Sequence, residues 1–82
     1  MSYLKDEIFL IEFGKHLRKI RKERGFTQES LAFNIGIEIS QISRIERGIL
    51  NTSISTVYAI AQAIDIPLIE LFDFGLEEEK EK

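Results

Sequence analysis

Eight lysine and arginine side chains fall between Ile11 and Gly48: Lys15, Arg18, Lys19, Arg21, Lys22, Arg24, Arg44 and Arg47. Five acids share that stretch, so its net charge is +3, whereas Ile49 to Lys82 carries two lysines and seven acids, a net of −5. The chemistry open to such a half is recognition of anionic oxygens by ammonium and guanidinium donors. The overall charge of −3 conceals this polarity. Metal and redox chemistry find no comparable residues. There is no cysteine, hence no disulfide and no thiolate zinc set, and His16 is the single histidine. Alone on a basic helix face, His16 reads as a solvated side chain and not a ligand. No phosphate loop or nucleophile elbow is present, and 82 residues leave little room for a desolvated pocket beside a full core. We expect a non-enzyme with no cofactor and no metal.

A cationic surface acts only if helices hold it in register. Leu10, Phe13, Leu17 and Ile20 recur at three- and four-residue steps, predicting a first helix over about Asp6 to Arg24, closed by Gly25. Thr27 suits an N-cap for a short second helix, about Gln28 to Asn34, which Gly36 ends. A third segment, about Glu38 to Arg47, turns Ile42 and Ile45 inward and Ile39, Ser40, Ser43, Arg44 and Arg47 outward or at the edge, stopping at Gly48. Ser55 caps a fourth helix carrying Val57, Ile60, Ala61 and Ile64, and Pro67 opens a fifth, Pro67 to Phe72. The fold class is all-α: a compact five-helix bundle formed by residues 1–74, with 75–82 a charged, solvated tail that includes Glu77 to Glu79. The longest apolar run, Ile8 to Ile11, is far short of the roughly 20 residues of a membrane span, so a cytoplasmic protein is expected.

The second and third helices are joined by about three residues and must cross steeply. Ala32 supplies a small contact and Gly36 a left-handed turn, four positions apart. Leu31, Ile35, Ile37, Ile42 and Ile45 fill the inner side, which leaves one side of the third helix free to enter a groove. The aromatics Phe9, Phe13, Phe26, Phe33, Tyr58, Phe72 and Phe74 read as core or interface and not as a base-stacking platform. Lys15, Arg18, Lys19 and Lys22 are by themselves only an exposed helix face. Their meaning comes from Gln28, Arg44 and Arg47 lying on a common surface with them.

Through "LRKIRKERGFTQESLA", "ISRIERG" and "STVYAIAQAIDIPLIELF", the chain resembles the XRE/Cro-type helix-turn-helix family of bacterial and phage DNA-binding regulators. The resemblance runs from about Phe13 to Phe74 and implies a lambda-repressor-like domain with helices two and three as the helix-turn-helix. It implies a sequence-specific, double-stranded-DNA-binding transcriptional regulator. By position, Ile39, Ser40 and Arg44 match base-reading residues, with Glu38, Gln41 and Ser43 at the groove edge. Gln28 matches the family's phosphate-binding glutamine, Arg47, Asn51 and Thr52 fall where the family touches backbone, and Arg24, Lys22 and Lys19 give more distant support. Arg21 and Glu46 match a pair that in relatives forms a partly buried ion pair tying helix one to helix three, a structural role.

Two departures stand out. Ile49 and Leu50 follow the Glu-Arg-Gly where many relatives carry cations, and Thr52 stands where proline is frequent. A homodimer reading half-sites about one helical turn apart follows from the small surface of one module. Its surface is expected at Leu68, Ile69, Leu71, Phe72 and Phe74, with Ile49 and Leu50 either joining it or plugging the core. No effector domain is visible, so small-molecule sensing is not expected. RNA polymerase is a further partner candidate. The competing reading is an antitoxin or bridging-factor-like module whose main partner is another protein.

Overall fold

Asp6 accepts a hydrogen bond from the Phe9 amide at 2.9 Å and starts the first helix. In the computed structural model, which describes residues 5–75, four α-helices follow in order: α1 (Glu7–Glu23), α2 (Gln28–Ile35), α3 (Ile39–Glu46) and α4 (Ile54–Ile64). A 3₁₀ helix, Leu68–Phe72, comes last, and no strand occurs among the described residues. α3 packs against both α1 and α2, α4 backs α2, and the 3₁₀ helix bridges α4 to α1. Phe13, Leu17, Leu31, Ile42, Ile45, Ile60, Ile64 and Leu71 form the core between them. No helix among the described residues is long and apolar enough to cross a membrane.

The helix ends share one device. Gly25, Gly36, Gly48 and Asp65 have positive φ, and each is followed by an apolar residue whose N–H reaches back five positions. Phe26 bonds the Arg21 carbonyl, Ile37 that of Ala32, Ile49 that of Arg44 and Ile66 that of Ala61, at 3.0 to 3.1 Å. This explains Ile49 in part: its backbone closes α3 while its side chain stays exposed. Asp65 takes the left-handed position at φ 64°, which aspartate tolerates better than most residues.

Two expectations are corrected. The α4 cap is Ser53 and not Ser55: Ser53 Oγ accepts from the Thr56 amide at 3.1 Å, so the helix begins at Ile54. Ser53→Ala is expected to lower stability by ~1 kcal/mol in urea unfolding, while Ser55→Ala changes it by less than ~0.5 kcal/mol. The fifth element is not an α-helix. Glu70 bonds back to Pro67 and Asp73 to Glu70, both three-residue spans, and Pro67 precedes the element as its cap. With Leu71 pinned in the core, five residues complete a tight turn and stop. The tail assigned to 75–82 lies, except for Gly75, outside the described residues.

One residue without a sequence-level role controls the helix crossing. A Cβ on Gly14 would sit 2.5 Å from the Ile45 carbonyl oxygen and closer still to that of Glu46. α1 therefore lies directly on the last turn of α3, at a distance only glycine permits.

Candidate nucleic-acid interface

α2 ends at Ile35 and α3 starts at Ile39, so three residues, Gly36 to Glu38, make the turn. Thr27 and Ser30 cap α2 reciprocally: the Ser30 amide donates to Thr27 Oγ1 at 2.9 Å and the Thr27 amide to Ser30 Oγ at 3.0 Å. That fixes Gln28 in the first turn of α2. On α3, burial of Ile42 and Ile45 forces Ile39, Ser40, Gln41 and Arg44 onto the opposite, exposed face, with Glu38 exposed just before it. Ile39 is 47% exposed, an apolar side chain presented to solvent amid polar ones.

Behind this face lies a charged network. Arg21 and Glu46 have side chains only 7% and 2% exposed. Arg21 Nε donates to Glu46 Oε2 at 2.5 Å and Nη2 to Oε1 at 3.1 Å, while Nη1 donates to the Phe26 carbonyl at 2.8 Å. Gln28 Nε2 donates to Glu46 Oε1 at 2.9 Å. One carboxylate thus ties α1, the start of α2 and the end of α3 together. No buried side-chain polar atom among the described residues lacks a partner. The pair is more deeply buried than the resemblance implied, and Gln28, expected only as a phosphate contact, is also part of the network; its second amide hydrogen is not used there.

Other expected site residues separate. Ser43 and Arg47 join Gln28 around one cleft, where Arg47 Nε donates to Ser43 Oγ at 3.2 Å. Lys19, Lys22 and Arg24 are exposed on or just after α1 but do not line that cleft, and Lys19 lies 3.9 Å from Glu23. Arg18 does line it. Nothing in the sequence singled out Arg18 from its neighbours. Asn51 is exposed and Thr52 half-buried in the loop before α4.

On the far side, Leu68, Ile69 and Phe72 are exposed, Ile69 at 74%. Leu71 is fully buried and belongs to the core, because the tight turn points it inward; it is removed from the interface expected there. Phe74 is half-buried against Phe9 and Phe13, with ring centroids 5.6 and 6.3 Å away. Leu50 is half-buried, packed against the core, and Ile49 is exposed. Phe9, Phe13, Leu50, Ile54, Leu68 and Phe72 line an apolar groove of about 190 Å³. Ile54, 84% exposed, was not anticipated as part of this surface. His16 is not simply solvated: Nε2 lies 2.7 Å from the Glu70 carbonyl, to which it must donate, and so ties α1 to the 3₁₀ helix.

A capped short helix, a three-residue turn and a second helix with a free polar face define a helix-turn-helix domain. Residues 17–71 match the helix-turn-helix family, and the chain belongs to that family, in its XRE-type branch. The restriction-modification controller protein C.AhdI from Aeromonas hydrophila is 41% identical, with a TM-score of 0.75 over 77% of this chain and 96% of that one. Control protein C.MunI from a Mycoplasma species is 40% identical over 63 residues, 76% of this chain and 85% of that protein. The tetramer of controller protein C.Esp1396I in complex with its natural 35 base-pair operator is also similar, at 29% identity and a TM-score of 0.74. That match covers 83% of this chain and 90% of that one.

Proposed function

We propose that this chain is a sequence-specific regulator of transcription that binds double-stranded DNA as a homodimer, with α3 in the major groove of each half of a pseudo-palindromic operator. The observation that carries this reading is the exposed face of α3, held by a buried ion pair behind it. Arg44 forks onto guanine O6 and N7, Ser40 bonds a base edge and Ile39 meets a thymine methyl. Glu38, Gln41 and Ser43 stand at the groove edge. Gln28, Arg47, Asn51 and Thr52 contact backbone phosphates, and Lys19, Lys22 and Arg24 add longer-range attraction. The operator complex of C.Esp1396I supports DNA as the partner. The dimer surface is Leu68, Ile69 and Phe72, with Phe74, Ile49 and Leu50 at its margin. Two copies so joined read half-sites roughly 34 Å apart.

The test is selection from random duplex DNA, read by sequencing, for wild type and Arg44→Ala in parallel. A pseudo-palindrome with half-sites about ten base pairs apart is expected. Arg44→Ala is expected to relax one position per half-site and to cost ~1–3 kcal/mol there. No enrichment at low salt overturns the reading and turns the search to a protein partner.

A further inference from the structure

α1 carries five cations, and the structure separates them by what they face. Lys15 and Lys19 pair along the helix with Glu12 and Glu23, at 3.6 and 3.9 Å. Arg18 instead lines an open cleft of about 380 Å³ where α1, α2 and α3 meet. Three guanidinium groups, those of Arg18, Arg21 and Arg47, line it against one carboxylate, Glu46. That carboxylate is already committed: one oxygen accepts from Arg21 and Gln28, the other from Arg21. Arg21 neutralises it. Neither Arg18 nor Arg47 has a carboxylate within 4.0 Å among the described residues. Among the described residues the cleft therefore keeps two positive charges without a carboxylate partner.

Neutral donors converge on the same space. Gln28 presents its second amide hydrogen, held by the bond from its first to Glu46. Ser43 offers a hydroxyl whose oxygen accepts from Arg47 Nε, a bond that does not involve the terminal nitrogens of Arg47. Two guanidinium forks, a hydroxyl and an amide around a small open cleft form a receptor for one tetrahedral oxyanion. Because Ser43 belongs to α3 and Arg47 directly follows it, that oxyanion lies beside the proposed base-reading face.

We propose that Arg18 of α1 shares, across this cleft, the backbone phosphodiester assigned above to Gln28 and Arg47, and that Arg18 is the principal phosphate contact of α1. The proposal rests on the DNA-binding reading above. It moves the α1 contribution away from Lys19, Lys22 and Arg24.

Duplex affinity measured against salt concentration tests it, with Arg18→Gln and Lys19→Gln compared to wild type. Arg18→Gln is expected to weaken operator and unrelated duplex alike by about tenfold and to reduce the slope of log K against log salt by about one. Lys19→Gln is expected to change affinity less than about twofold. An unchanged slope in Arg18→Gln, or a larger loss in Lys19→Gln, overturns the assignment. A second measurement is independent of DNA: NMR titration of the free protein with inorganic phosphate. The Arg18 and Arg47 Nε–H and Gln28 side-chain amide signals are expected to shift together, saturably, in wild type, and the Gln28 and Arg47 shifts to vanish in Arg18→Gln. If wild type binds no duplex, the regulator reading and the phosphodiester assignment fall together. The titration then decides whether an anion seat remains, and no shift removes that too.

Discussion

Glu46→Ala is expected to destabilise the domain by ~3–5 kcal/mol, much of the 5–15 kcal/mol that a natural domain has in total. The magnitude follows from burial. An exposed ion pair contributes ~0–1 kcal/mol, because water solvates either partner once the other is gone. Arg21 has no such recourse: at 7% exposure it would keep a full charge with the Phe26 carbonyl as its remaining hydrogen-bond partner among the described residues. Gln28 would lose its anchor as well, since its amide rests on the same carboxylate. Thermal unfolding followed by circular dichroism should show a midpoint lowered by at least ~12 °C, taking 4–8 °C per kcal/mol for a domain of this size. The double variant Arg21→Met/Glu46→Leu separates lost attraction from stranded charge. It is expected to recover more than half of the loss, because replacing both members of a buried pair removes both desolvation costs. A Glu46→Ala loss of ~1 kcal/mol or less would mean that water reaches Arg21 and that the network does not hold the three helices together.

The parts legible in the sequence were those that local physics determines. α1, α2, α3 and α4 followed from apolar stripes with a helical period, and the ends of the first three from Gly25, Gly36 and Gly48, since glycine takes a left-handed position before a returning apolar residue most readily; Asp65 does the same after α4. The outward set on α3 followed from the inward pair Ile42 and Ile45. Where two local signals competed, the reading failed: "NTSIST" offers Ser53 and Ser55 as caps, and the apolar Ile54 between them belongs to the helix without belonging to its buried stripe. The fifth element misled for a related reason, since Leu71 is the sole deep anchor in five residues and one anchor does not define a period.

Other features depend on contacts between distant segments, which no window of the chain contains. His16 and Glu70 are 54 positions apart. Arg18 and Lys19 are adjacent and chemically equivalent at the level of charge, yet about 100° of helical rotation sends one into the cleft and the other toward Glu23. Which of them meets α3 is decided by the angle and distance at which α1 crosses it. That crossing is set by Gly14.

Gly14→Ala makes the point measurable, because local and tertiary effects have opposite sign. Within an isolated helix the change is favourable by ~1 kcal/mol, since alanine restricts the unfolded chain and glycine does not. In the folded domain the new methyl meets the Ile45 carbonyl oxygen at 2.5 Å, the Glu46 carbonyl oxygen closer still and the Glu46 carbonyl carbon at 2.7 Å. These are backbone atoms of the final turn of α3, so no rotamer change relieves them, and α1 must lift away. Overpacking of this kind costs ~1–3 kcal/mol and occasionally more, and a rigid backbone wall places the loss near ~3 kcal/mol net. Lys15→Ala, one position along on the exposed side, is the control and should stay within ~0.5 kcal/mol. Lifting α1 would also draw Arg21 from Glu46 and Arg18 from the cleft, so the folded fraction of Gly14→Ala should bind duplex more weakly at every sequence, with Arg44 specificity retained. Urea unfolding gives the first quantity and duplex titration at a temperature below the transition gives the second. A Gly14→Ala protein as stable as wild type, or more so, would show that α1 does not lie directly on the end of α3, and the geometry assigned to Arg18 and Arg21 would fall with it.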